Sequence, residues 1–121
     1  MAIPVSSVLL YVKDVAKVAQ FYVEHFGYLE EPGSTAGYRV LSAGKGCAIT
    51  VHQAAKSQSS GAAVKIVFAV ADVPKFIAER AAAGLRFGTI HEAEGYFFSN
   101  AKDPASNSIS VSSRVFRRSG A

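Results

Sequence analysis

The chain has a single cysteine, Cys47, so an internal disulfide and a zinc site made only of cysteines are both excluded. No uninterrupted apolar stretch approaches the roughly 20 residues that a membrane span needs. Charged residues make up only 18% of the 121 and hydrophobic residues make up 50%, which excludes a disordered chain. Residues 2–12 are fairly apolar, but no basic region precedes them and no clear cleavage site follows. We therefore expect no secretory signal and a cytoplasmic protein with no membrane partner.

The chain carries a modest positive charge, +4 at pH 7 with a pI of about 9.4. Its thirteen basic residues are spread along the sequence, except for three arginines near the end: Arg114, Arg117 and Arg118. Three arginines fall short of a stripe that follows a phosphate backbone. We therefore expect no nucleic-acid partner.

Two segments of the chain follow the same pattern. SSVLLYVKDVAK (Ser6 to Lys17) and VKIVFAVADVPK (Val64 to Lys75) are both apolar and β-rich, and both run into Asp-Val-x-Lys. The aspartates, Asp14 and Asp72, are good helix N-caps, because a carboxylate accepts hydrogen bonds from the open N–H groups of a first turn. Pro74 suits the first turn of the second helix, where its missing N–H costs nothing. The pattern predicts a strand followed by a helix, twice.

Apolar residues recur at three- and four-residue steps after each aspartate, and Gly27 and Gly84 mark the predicted helix ends. Further strands are predicted at Tyr38–Ser42, Cys47–Gln53, Phe87–His91, Tyr96–Asn100 and Ser108–Ser112. The chain is thus a tandem duplication of a βαβββ module.

The predicted fold is a single α+β domain spanning residues 1–121. The modules cover about 5–55 and 63–114, joined by a polar linker at 56–62 and followed by a basic tail at 115–121. A module of about 55 residues would be marginal alone. Two modules are expected to form curled mixed sheets around a concave cleft, with the helices on the outer faces.

Three motifs carry a resemblance to a known family: LLYVKDV (Leu9 to Val15), FAVADV (Phe68 to Val73) and DPASNSI (Asp103 to Ile109). In order and spacing the chain resembles the glyoxalase / bleomycin-resistance / dioxygenase superfamily (vicinal oxygen chelate proteins), from about Val5 to Arg114. Ser106 stands where the family's Asp-Pro-x-Gly-Asn turn has glycine. The resemblance implies either metal-dependent lyases, isomerases, thiol transferases and dioxygenases, or metal-free drug-binding proteins, often as homodimers.

The resemblance also implies four metal-ligand positions, usually His, Gln or Glu, in the first and last strands of each module. Counting seven residues back from each capping aspartate gives Ser7 and Lys65, and the last strands give Thr50 and Ser110. Hydroxyls are weak ligands for a divalent transition metal, and a protonated lysine repels a cation. We therefore expect no metal and no other cofactor.

Strand alternation predicts which side chains face the cleft. The lining is expected to be small and hydroxyl-rich, with one ammonium and no carboxylate, which suits a polar or anionic ligand. Alternation allows only one of Tyr38 and Arg39 to point inward. The predicted ligand-binding residues are Ser7, Tyr11, Arg39, Thr50, His52, Lys65 and Ser110.

The leading interpretation is a metal-independent small-molecule binding protein. The alternative is a lyase, isomerase or dioxygenase with a non-standard metal site, or with proton transfer by His52, Lys65 or Tyr11. A third possibility is an interaction module with a vestigial cleft. His52 has a simpler explanation as a half-solvated residue at a strand end, and with His91 it would form an unusual metal pair without an evident third ligand.

Overall fold

The computed structural model describes residues 2, 5, 7–57 and 64–117, which form two compact units, Met1–Ser60 and Gly61–Ala121. Most of the predicted linker and the end of the predicted basic tail lie outside the described residues. Within the described residues, neither helix has the length and apolar character needed to cross a membrane.

The first unit is a four-stranded mixed sheet with one helix. Its elements are β1 (Ser7–Val12), α1 (Val15–Phe26), β2 (Leu29–Glu30), β3 (Tyr38–Ser42) and β4 (Ala48–Gln53). The strand order is β1-β4-β3-β2, with β1 parallel to β4 and the other pairs antiparallel. The last strand of the unit therefore lies inside the sheet, between β1 and β3.

The second unit repeats this arrangement. Its elements are β5 (Lys65–Ala69), α2 (Val73–Ala82), β6 (His91–Ala93), β7 (Tyr96–Lys102) and β8 (Ser108–Ser112), followed by a 3₁₀ turn at Arg114–Phe116. The order is β5-β8-β7-β6, with β5 parallel to β8. The predicted α+β architecture of two mixed sheets and two helices is confirmed.

Both helices begin as the sequence predicts. The Asp14 carboxylate accepts a hydrogen bond from the Lys17 N–H, and Asp72 accepts one from the Lys75 N–H, each at 3.1 Å. Helix α1 ends at Gly27, whose φ of 73° is a left-handed conformation that glycine adopts without a Cβ clash. Each unit thus turns from its first strand into its helix through the same aspartate cap.

The core of each unit lies between its helix and one face of its sheet. In the first unit α1 contacts β3 and β4, and Val12, Leu41 and Val51 are buried there. In the second unit Ile109 and Val111 of β8 are fully buried, and Val73 is the only fully buried residue of α2. The opposite face of each sheet carries the alternate strand side chains, of which Thr50 and Ser110 are also buried.

One predicted strand is wrong, and one short strand was not predicted. The segment predicted as a strand at Phe87–His91 is irregular, and β6 begins only at His91. The Ser99 hydroxyl, which can donate to only one acceptor at a time, lies 2.9 Å from the Gly88 carbonyl and 3.1 Å from the Thr89 carbonyl. A side chain therefore satisfies one carbonyl of this segment, and the Gly88 N–H donates to the Asn100 carbonyl of β7 at 2.9 Å without a continuous strand ladder. The strand β2 was not predicted, because its two residues are both exposed and too few to show an alternation of apolar and polar side chains.

Candidate functional site

Four of the seven predicted ligand residues share the sheet face opposite α1. Partner residues on neighbouring strands point to the same side of a sheet. Thr50 pairs with Leu9 of β1 and Val40 of β3, and His52 is the next residue of β4 on that side. Ser7 and Tyr11 alternate with Leu9 along β1. The structure therefore brings Ser7, Tyr11, Thr50 and His52 onto one face.

The end of this face is aromatic. His52 pairs with Tyr11 on one side and with Tyr38 on the other. The imidazole centroid lies 5.3 Å from the Tyr11 ring and 5.7 Å from the Tyr38 ring, the latter edge-on. Both distances fall in the range of favourable aromatic pairs. We call Tyr11, His52 and Tyr38 the aromatic row.

A hydrogen bond determines which nitrogen of His52 carries a proton. Nδ1 lies 2.8 Å from the carbonyl oxygen of Gln53. A carbonyl oxygen only accepts, so Nδ1 must be the donor, and the neutral imidazole then has its lone pair on Nε2. His52 thus offers a hydrogen-bond acceptor or a base at Nε2.

Arg39 was expected to contact the ligand, but it lies on the other face of the sheet. It pairs with the fully buried Val51, whereas Tyr38 pairs with His52. Its guanidinium donates to the Thr35 carbonyl at 2.9 Å and forms an ion pair with Glu30 at 3.0 Å. Alternation limited the choice to Tyr38 or Arg39, and only the register against β4 decides it in favour of Tyr38.

The second unit brings Lys65 and Ser110 onto one face of its own sheet. Lys65 pairs with Ser108, which pairs with Lys102 of β7, while Ser110 pairs with Asn100. The Lys65 ammonium donates to Asn100 Oδ1 at 3.0 Å, and the Lys102 ammonium donates to Ser108 Oγ at 2.9 Å. We call Lys65, Ser108, Lys102 and Asn100 the lysine row.

Sequence reasoning missed Lys102 and Asn100. The predicted strand ended at Asn100, and the face of β7 was not assigned. Continuing the alternation from Phe98 through Asn100 would have reached Lys102 on the same side. The signal was present in the sequence, but it needed the two additional residues of strand.

The lysine row has a positive electrostatic environment. Among the described residues of β5, β6, β7 and β8, none of the side chains on this face is Asp or Glu, since Glu92 pairs with Phe97 on the other side. The nearby Asp103 is buried, and its carboxylate accepts hydrogen bonds from the backbone N–H groups of Ala105 and Asn107. The two ammonium groups therefore contact neutral oxygens.

Cys47 and Tyr28 lie in the first unit and are not part of the aromatic row. Cys47 is half-buried and is not part of a disulfide. Burial, and secondarily the proximity of Cys47, raise the pKa of the Tyr28 phenol above its usual 10.0. His25 is half-buried, with its ring 5.0 Å from that of Phe21.

Solved structures share this arrangement of strands and helices. A glyoxalase/bleomycin resistance protein/dioxygenase family enzyme from Burkholderia phytofirmans PsJN superposes with a TM-score of 0.77 at 22% identity, covering 91% of this chain and 98% of that one. A lactoylglutathione lyase from Agrobacterium tumefaciens gives 0.73 at 18%, covering 89% and 91%. The oxidase ChaP-H2 gives 0.75 at 16%, covering 100% and 98%. The chain has the glyoxalase/bleomycin resistance/dioxygenase fold.

These likenesses lie in structure and not in sequence. No protein-family model and no curated protein sequence matches the chain. The resemblance drawn from the three sequence motifs is confirmed at the level of the fold, and the identities of 16–22% leave the chemistry to be argued from this chain's own residues.

The residues at the four metal-ligand positions of the glyoxalase fold do not fit a divalent ion. In the second unit the Lys65 nitrogen is a hydrogen-bond donor, and the Ser110 hydroxyl donates to the Ser99 carbonyl at 2.9 Å. In the first unit Ser7 and Thr50 offer only neutral hydroxyls. Within residues 7–57 and 64–117, no three His, Cys, Asp or Glu side chains are grouped as a metal site would require. Metal independence itself stays a prediction.

Proposed function

We propose that this protein binds a small anionic molecule without a metal ion, and that the lysine row holds the anionic group. The observation that carries the proposal is the position of two ammonium groups, from Lys65 and Lys102, on either side of Ser108 on a face that has no carboxylate on its strands. A carboxylate or phosphate there can accept charge-assisted hydrogen bonds from both lysines.

The existing contacts of these lysines support this function. Asn100 Oδ1 and Ser108 Oγ orient the ammonium groups, but neither oxygen neutralises their charge. An arriving anion therefore gains attraction to both lysines without first displacing an ion pair. Because both lysines are exposed, the attraction is partly screened, and binding is expected to weaken as salt concentration rises.

The test is a titration of the full chain with inorganic phosphate and with benzoate, followed by amide chemical shifts. Lys65→Met and Lys102→Met should each weaken binding by roughly 3- to 10-fold, since each removes one charge-assisted bond at an exposed site. Lys75→Met on α2 is the matched control, because it removes an exposed lysine from the same unit. Equal affinity for Lys65→Met and Lys75→Met would contradict the proposal.

Metal independence is tested separately. Protein purified without chelator should contain well under one equivalent of zinc, nickel, manganese or iron by elemental analysis. Its melting temperature should not rise when these ions are added, because a ligand that binds only the folded state must stabilise it. One bound equivalent of any of these metals would refute this part of the proposal.

A second candidate function is proton-transfer catalysis by His52 without metal. It is favoured by the hydrogen bond from Nδ1 to the Gln53 carbonyl, which leaves Nε2 as a base in the neutral ring. Turnover that persists in chelator and is lost in His52→Gln would support it. Turnover that chelator abolishes would support the metal-dependent alternative.

The subunit arrangement remains a proposal as well. The resemblance stated from the sequence leads us to propose a homodimer, and light scattering of the purified chain distinguishes 12.8 kDa from twice that mass. A monomer at all accessible concentrations would refute it.

A further inference from the structure

The aromatic row of the first unit presents an apolar surface around a hydrogen-bonding group. Tyr11 and Tyr38 are 42% and 44% exposed, and the neighbouring Leu9 is 43% exposed. Adjacent exposed apolar side chains on one sheet face are a common mark of a binding site. The proposed anion site uses none of these residues, since the lysine row belongs to the second unit.

The chemistry at the centre of this surface selects the ligand. Nε2 of His52 is an acceptor in the neutral ring, because Nδ1 donates to the Gln53 carbonyl. On either side of it are two tyrosine rings, which favour stacked or edge-on contact with another ring. An imidazole acceptor between two exposed aromatic rings is complementary to a flat ring that carries one donor.

We propose that the aromatic row binds a neutral, planar aromatic ring bearing an N–H or O–H group, which donates its hydrogen to Nε2 of His52 while the ring packs against Tyr11 and Tyr38. This site is independent of the anion site, since it uses only residues of the first unit and requires no charge on the ligand.

Indole and 1-methylindole form a matched pair of probes, since they differ in the N–H donor. The chain contains no tryptophan, so the fluorescence of bound indole is observed without tryptophan background. For a fragment of this size we expect a Kd on the order of 1 mM. Indole should bind the full chain roughly 3- to 10-fold more tightly than 1-methylindole, the usual value of one net hydrogen bond.

Variants separate the hydrogen bond from the ring contacts. His52→Phe keeps a ring and removes the acceptor, so it should lower indole affinity to that of 1-methylindole and leave 1-methylindole unchanged. Tyr38→Ala should weaken both probes. His91→Phe, which replaces a histidine stacked at 5.0 Å on Phe98 in the second unit, should change neither.

The direct readout is the ¹⁵N resonance of His52 Nε2, which should shift with indole and not with 1-methylindole. The proposal is overturned if the two indoles bind the unaltered chain equally, if neither binds at 10 mM, or if the shifts map away from Tyr11, His52 and Tyr38. None of these outcomes affects the phosphate and benzoate titration, so the two proposals fail separately.

Discussion

Replacing Asp103 by alanine should strongly destabilise the second unit. Asp103 is buried in the turn between β7 and β8, where Oδ1 accepts from the N–H groups of Ala105 at 2.9 Å and Asn107 at 2.8 Å. Oδ2 accepts from Asn107 Nδ2 at 3.0 Å. Hydrogen bonds to a charged group contribute roughly 1.5–3 kcal/mol each and do not add fully, so the loss should be about 3 kcal/mol.

Urea unfolding followed by circular dichroism measures this loss, and amide exchange in β8 shows whether it is confined to the second unit. For a slope of about 2 kcal/mol per molar, the midpoint should fall by about 1.5 M in Asp103→Ala. Asp103→Asn keeps one acceptor oxygen but turns a donor toward Asn107, so it should lose about 1–2 kcal/mol. Glu94→Ala, an exposed control between β6 and β7, should stay within about 0.5 kcal/mol. The reasoning is refuted if Asp103→Ala loses less than 1 kcal/mol.

Four further substitutions test other parts of the structure. Ser106→Gly should raise stability by a few tenths of a kcal/mol to about 1 in urea unfolding, because Ser106 has a φ of 65°; a loss of stability would contradict this. Asp14→Ala and Asp72→Ala should each lower the free energy of unfolding by about 1 kcal/mol in the same measurement, because each removes a 3.1 Å capping hydrogen bond. No loss in either variant would refute the capping role. The folded-state pKa of Tyr28 is raised above its unfolded value. Its contribution to the free energy of unfolding is therefore complete below about pH 10 and is lost as pH rises through the folded pKa. The unfolding free energy should therefore decline less between pH 9 and pH 11 in Tyr28→Phe than in the unaltered chain, and an equal decline would contradict the assignment.

Local chemistry made much of the fold predictable from the sequence. The aspartate caps depend only on a side chain and the next three residues, and both form as expected. Val12, Ile49 and Val51 are buried on one side of their strands, as period-two alternation requires of a half-buried strand. The irregular segment before His91 was missed because one of its carbonyls accepts a hydrogen bond from the Ser99 hydroxyl, a contact at least ten residues away that no local pattern specifies.

The candidate site was less predictable because it depends on strand register. Alternation shows which residues of one strand share a face, but it does not show which residues of two neighbouring strands are paired. The choice between Tyr38 and Arg39 therefore required the pairing of β3 with β4. Lys102 lies near Lys65 because both residues pair with Ser108 of β8, one from each side. The hydrogen bond from His52 to Gln53 is local, but it depends on a side-chain rotamer that no sequence pattern specifies.

The strand that completes the second sheet is the last one in its chain order, yet it lies in the interior, bonded to β5 on one edge and β7 on the other. Strands β6 and β7 pair directly, but β5 can join them only through Ser108–Ser112. Removing these residues would separate β5 from β7, whereas removing an edge strand would leave the rest of the sheet paired. The second unit accordingly cannot complete its sheet without Ser108–Ser112, and a chain that stops before Ser108 should be degraded by proteases.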